Sequence, residues 1–208
     1  MNKQNRMPAA YLIGVLLILI LSSILSHDRF TWLLEVFPIL IGLPILILTY
    51  RRLQFTDFIY LLLIIHSLIL AVGGIYTYAK VPLGFWMQDW FGFARNHYDR
   101  LGHFAQGFFP ALLIREILLR TSPLRRGKWL FFIVVSLCIT ISALYELIEF
   151  GYALSTSETA ESFLGSQGDI WDAQWDMTFA ALGAICSLSI LSGWHDRFLT
   201  KTGIDVNY

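Results

Sequence analysis

Six stretches of mostly apolar residues follow one another along this chain, at 9–26, 32–50, 56–75, 101–120, 129–149 and 174–194. Crossing the hydrocarbon core of a bilayer takes about 20 residues of α-helix, and lipid tolerates no unpaired backbone group, so each stretch is expected to span as a helix. Composition agrees. Of the 208 residues, 56% are hydrophobic and only 14% are charged, where a soluble domain carries about a quarter charged. The expected fold class is therefore all-α: a polytopic membrane protein, a bundle of about six transmembrane helices. Short connections leave no room for a separate soluble domain, so residues 1–208 read as one integral membrane domain. The fourth span is the weakest, because His103, Gln106, Arg115 and Glu116 interrupt it.

The first stretch opens like a signal peptide, with Lys3 and Arg6 ahead of an apolar run. No small-x-small cleavage site follows cleanly, and five more spans come after it, so a retained anchor is expected. The zero formal net charge hides a sorted distribution. With the N-terminus inside, one side of the membrane receives Arg51, Arg52, Arg120, Arg125, Arg126, Lys128, Arg197 and Lys201 as well as Lys3 and Arg6. The other side receives only Arg29, Lys80, Arg95 and Arg100. That positive-inside pattern places both termini in the cytoplasm. Most acids then fall outside, among them Asp89, Glu158 and Glu161.

Pro38 and Pro44, with Gly42 between them, are expected to bend the second span, since proline removes a backbone donor and clashes with the preceding turn. His66, alone in the third span, is expected to be a neutral core residue bonded to a neighbouring helix. The segment 76–97 carries Trp86 and Trp90 among phenylalanines and tyrosines. Such aromatics settle at headgroup level, so an interfacial helix or re-entrant lid is expected, with a plain membrane-resting connector as the alternative. The turn at 121–128 is short and basic, and the loop at 151–168 is polar. Cys138 and Cys186 lie within spans and form no metal or disulfide motif. There is no P-loop and no basic outer patch, so nucleic-acid binding is not expected.

Against this apolar background, three polar stripes stand out: Asp99, His103 and Gln106; Ser142, Glu146 and Glu149; Asp169, Asp172 and Asp176. Spacings of three, four and seven put each set on one face of a helix. All three lie toward the outer ends of their spans. Topology stacks them in an expected order of layers: Asp99/Glu149/Asp169, then His103/Glu146/Asp172, then Gln106/Ser142/Asp176.

So many carboxylates cannot remain ionised side by side without compensation. The nearby cations are Arg95 and Arg100, with His97 and His103 as further candidates. Three readings stand. A divalent metal held by imidazole and carboxylates would activate water for hydrolysis. A conduit would move protons or cations through titrating carboxylates. A structural network would use the two arginines to neutralise the acids.

The runs ARNHYDRLGHFAQGF (94–108), ALYELIEF (143–150) and GSQGDIWDAQWDM (165–177) resemble, in that order, the uncharacterised bacterial inner-membrane family typified by YjdF. That resemblance covers nearly the whole chain and implies a bacterial, multi-pass inner-membrane protein, without an activity to carry over. The shorter pattern Asp99-Arg100-x-x-His103-Phe104 is similar to the signature of VanZ-like membrane proteins, which implies an envelope role.

The functional expectation is metal-assisted hydrolysis or transfer on a lipid-linked envelope substrate. The catalytic candidates are Asp99, His103, Glu146, Glu149, Asp172 and Asp176, with His103, Glu146, Asp172 and Asp176 as metal ligands. Arg95 and Arg100 would hold an anionic headgroup, because guanidinium forks match phosphate geometry. Gln106, Trp86 and Trp90 would complete the substrate site. The alternative is a proton- or cation-coupled transporter, or a structural membrane protein whose acids form a salt-bridge network.

Overall fold

The computed structural model describes residues 6–155 and 167–203. Lys3, Glu158, Glu161 and most of the 151–168 loop lie outside the described residues. Within them the protein is all-helical: α1 (Arg6–Leu25), α2 (Arg29–Glu35), α3 (Phe37–Thr49), α4 (Asp57–Tyr76), α5 (Pro82–Phe91), α6 (Tyr98–Thr121), α7 (Lys128–Ser155) and α8 (Asp172–Lys201), with a 3₁₀ turn at Tyr78–Lys80.

Four helices, α1, α4, α7 and α8, are each long and apolar enough to cross a membrane, and α2 with α3 makes a fifth candidate. The expected fourth span, α6, is 24 residues long yet is not among them. Asp99, Arg100, His103, Gln106, Arg115, Glu116 and Arg120 together make it too polar. The reason is visible in the packing. The α6 helix lies inside the bundle against α4, α7 and α8, and it buries Asp99, His103, Arg115 and Glu116. Its polar groups face protein, so its sequence does not have to satisfy lipid. In contrast, α1 and α7 present apolar side chains outward, such as Ile24 at 66% and Leu147 at 62% exposure.

The second span is broken rather than curved. The α2 and α3 helices meet at 51°, and Val36 caps one and begins the other. Pro38 stands in the first turn of α3, where its missing N–H costs nothing and its ring prevents α2 from continuing. Pro44 lies inside α3 without breaking it.

The α6–α8 pair is the most extensive helix contact of the bundle, and two glycines make it possible. A Cβ on Gly107 would sit 1.8 Å from the Ala180 carbonyl oxygen, and one on Gly183 would sit 2.1 Å from the Phe104 carbonyl oxygen. Small residues let backbones touch where lipid supplies no hydrophobic drive between helices. The two polar ends of α6 are thereby held against α8.

Candidate functional site

The first two turns of α6 carry Asp99 and His103 on one face. His103 is 5% exposed, and its ring is held from two sides by α7. Its Nδ1 lies 3.3 Å from Ser142 Oγ, and its Nε2 lies 3.4 Å from Glu146 Oε1 and 3.8 Å from Asp99 Oδ1. From α8, Asp176 completes the group: Asp99, His103 and Asp176 each offer a ligand atom, all within 4.8 Å of one another. Asp176 Oδ1 and Glu146 Oε1 are buried and have no hydrogen-bond partner among the described residues. Glu149, the outermost of the α7 stripe, is also buried.

A second tier consists of closed ion pairs. Arg95 Nη2 donates to Asp172 Oδ1 at 2.6 Å, and Arg95 Nη1 lies 3.7 Å from Asp169. Arg100 Nη2 donates to Asp169 Oδ2 at 2.6 Å, and its guanidinium covers the Trp175 ring at 5.4 Å. Both arginines, expected to hold a headgroup, therefore hold carboxylates at the start of α8 (Asp172) and just before it (Asp169). Asp172, expected among the metal ligands, is engaged by Arg95. His97 adds no cation at neutral pH: partial burial, and then the Arg100 and Arg95 guanidiniums, push its imidazole below the usual histidine range. Among the described residues, Asp99, Glu146, Glu149 and Asp176 have no lysine or arginine within 4 Å.

The expected layering holds between α6 and α7, where His103 meets Glu146, but not between α6 and α8. The Gly107–Ala180 and Phe104–Gly183 contacts pair residues 73 and 79 positions apart, an offset of about 76. The stripe argument paired Asp99 with Asp169, an offset of 70. The α8 helix is thus displaced by nearly two turns along α6, which brings Asp176, not Asp169, level with Asp99. Backbone contact at the glycines sets that register, and side-chain periodicity carries no information about it.

The second helix contributes a carboxylate that the stripes did not include. Glu35, at the end of α2, is 5% exposed. It shares a cavity of about 130 Å³ with Tyr78, Asp99, His103, Gln106 and Tyr145, between α2, α4, α6 and α7. The Tyr145 hydroxyl donates to the Leu34 carbonyl at 3.2 Å. The sequence signal was a lone acid in an apolar span. Trp86 and Trp90 lie on α5 at 56% and 71% exposure.

A separate polar network closes the far end of α6. Glu116 is fully buried and accepts from Thr56 N at 3.0 Å, Thr56 Oγ1 at 2.8 Å and Arg120 at 2.9 Å. His195 joins it, with Nε2 2.9 Å from Glu116 and Nδ1 2.9 Å from Arg115 Nη1. Arginine can only donate, so Nδ1 accepts and Nε2–H donates to the carboxylate. Asp196 takes Arg115 at 2.6 Å and Arg126 at 2.8 Å. Every charge here has a partner of opposite sign, which distinguishes this end from the Asp99 end.

Comparison with known proteins agrees with the first of the two resemblances. The family model described as "Predicted membrane protein (DUF2238)" matches residues 7–197. The chain is also similar to the inner membrane protein YjdF of Escherichia coli (strain K12), at 49% identity over 188 residues, 90% of each chain. The VanZ-like similarity is not shown by these matches. No solved structure matches.

Proposed function

We propose that this chain, which belongs to the DUF2238 family of predicted membrane proteins, binds a divalent metal ion at Asp99, His103 and Asp176 and uses it in hydrolysis or group transfer on a lipid-linked envelope substrate. The observation that carries the reading is the meeting of three ligand atoms within 4.8 Å, one of them from Asp176, whose Oδ1 is buried with no hydrogen-bond partner among the described residues. Imidazole with carboxylates suits a hard-to-borderline divalent ion. Such an ion lowers the pKa of bound water and so supplies a nucleophile at neutral pH. Glu146, 3.4 Å from His103, is placed to take the proton that the water gives up. Ser142 orients the imidazole from its other nitrogen, as ligand histidines commonly require.

Arg95 and Arg100 take a different part in this reading from the one their position first suggests. By holding Asp172 and Asp169 they neutralise the outer tier, and the inner carboxylates are left without a guanidinium within 4 Å among the described residues. That arrangement supports a bound cation over a purely structural network, which would pair its acids as the Glu116 end does. The name of the YjdF relative and the charge sorting support a location in the bacterial inner membrane, with both termini cytoplasmic and the site toward the periplasm.

Elemental analysis of protein purified in detergent without chelator tests the proposal. About one equivalent of a divalent transition metal or magnesium is expected. Asp176→Asn and His103→Ala should each lose it while remaining folded in the membrane. Folded wild-type protein free of metal would overturn the assignment and favour the carboxylates as a proton relay.

A further inference from the structure

The small cavity beside His103 does not stand alone. Four of its wall residues, Pro38, His66, Leu70 and Pro110, are also walls of a second cavity of about 450 Å³. That second space lies between α1, α3, α4 and α6. It is lined by apolar side chains such as Ile39, Leu43, Leu46, Leu63 and Leu113. Its volume falls within the roughly 300–1,000 Å³ of ligand pockets. It exists because α3 has no substantial contact with α4 or α6; the break at Val36 swings α3 away from them.

At the boundary between the two spaces stands His66. It is 8% exposed and its ring stacks on Phe109 with centroids 5.8 Å apart. Its Nε2 is buried without a partner among the described residues, so the expected bond to a neighbouring helix is absent. A buried ring nitrogen left unbonded is costly, and His66 lines both spaces, so an acceptor oxygen on an amphiphile seated there would satisfy it. On the opposite wall, Pro110 has no N–H to give to the Gln106 carbonyl one turn earlier.

We infer that these two spaces form one bipartite site for a glycerophospholipid. Its acyl chain occupies the cavity against α3, its ester oxygen accepts from His66 Nε2–H, and its head lies toward Asp99 and His103. The inference deepens the reading of the preceding section and rests on it for the head-group end alone. Mostly apolar walls match an acyl chain, the His66 imidazole at the neck matches the ester, and the carboxylates Glu35 and Asp99 with His103 are confined to one end.

The test separates chain binding from metal binding. Wild-type protein extracted from its membrane in a mild detergent is analysed by native mass spectrometry, with fragmentation to identify what it retains. One glycerophospholipid per chain is expected. A Cβ added at Gly42 meets nothing within 4 Å, and Gly42 lines the apolar space, so Gly42→Trp fills it without a clash at its base. Retention should fall at least fivefold in that variant. It should persist in Leu48→Trp, on the same helix at 82% exposure. His66→Phe keeps the ring stack and removes the donor, and should reduce retention several-fold even if Gly42→Trp fails to fold. Metal content, measured in the same samples, should be unchanged in all three variants. Bare wild-type protein, a retained isoprenoid phosphate in place of a phospholipid, or equal retention in wild type and His66→Phe would each overturn the inference. A protein that retains lipid but no metal would leave it standing while removing the metal assignment.

Discussion

Replacing Gly107 by alanine tests whether the α6–α8 contact sets the geometry of the site. The new Cβ would lie 1.8 Å from the Ala180 carbonyl oxygen, where real Cβ atoms stay beyond 3.0 Å. The helices must therefore part by at least about 1.2 Å, because the obstacle is backbone and has no rotamer to yield. Forcing one methyl group into a packed interior of this kind costs about 1–3 kcal/mol. At roughly 2–4 °C per kcal/mol for a chain of this size, the melting temperature should fall by about 2–12 °C. Gly183→Ala meets the Phe104 carbonyl at 2.1 Å and should behave alike. The double variant should cost less than the sum, since the first methyl already separates the helices.

The assay is thermal unfolding in detergent followed by the fluorescence of the seven tryptophans. Gly193→Ala is the control. It lies on α8, and its added Cβ meets nothing within 4 Å, so alanine there should be neutral or stabilising by up to about 1 kcal/mol. The separation also opens the site, because His103 is one turn from Gly107 and Asp176 lies on the partner helix. Metal affinity should fall in Gly107→Ala without any ligand having been touched. If Gly107→Ala melts with Gly193→Ala, the close approach is wrong, and with it the register that brings Asp176 to Asp99.

Three further outcomes are expected. Glu116→Ala takes the carboxylate from Thr56, Arg120 and His195 at a position with no exposure, and removal of one member of a buried network costs about 3–5 kcal/mol; circular dichroism melts should show the largest loss of any single variant named here. Reporter fusions active only in the periplasm should be active after Ala79 and silent after Arg126, and the reverse result would invert the proposed orientation. Asp28 caps α2, accepting from Phe30 N at 2.9 Å and Thr31 Oγ1 at 2.6 Å, and the Thr31 bond holds its carboxyl below the usual range. Asp28→Ala should cost about 1 kcal/mol, and the loss should vanish as pH falls through the lowered pKa, since the cap then protonates in the wild type too.

Parts of this structure were legible in the sequence because they depend on periodicity alone. The faces of α6 and α7 follow from the spacing of Asp99, His103 and Gln106 and of Ser142, Glu146 and Glu149, and the pairing of His103 with Glu146 follows from two antiparallel helices. What periodicity cannot carry is the slide of one helix along another. The offset between α6 and α8 is fixed by glycine backbones touching carbonyls at Ala180 and Phe104. Gly107 and Gly183 read in sequence as two small residues among several. Glu35 gave only a faint sign, since one acid inside the apolar stretch 32–50 forms no stripe. It reaches the site only because the chain breaks at Val36.

The Glu116 network shows the same limit from the other side. Its bonds join residues 60 and 79 positions apart, so no local pattern announces them. Only the charges inside the fourth apolar stretch gave a sign, and there they weakened the case for a span. Hydropathy treats every side chain as facing lipid, whereas α6 turns its acids, arginines and histidine toward α4, α7 and α8. A helix that fails an apolarity test for this reason occupies the centre of its bundle, because nowhere else could its charges be paired or its ligands converge. The contrast between its two ends then carries the functional argument. At the Glu116 end the acids face cations, and at the Asp99 end buried carboxylates gather around one imidazole with no lysine or arginine within 4 Å among the described residues. The first arrangement is what stability alone produces, and the second is the one that the proposed metal ion would complete.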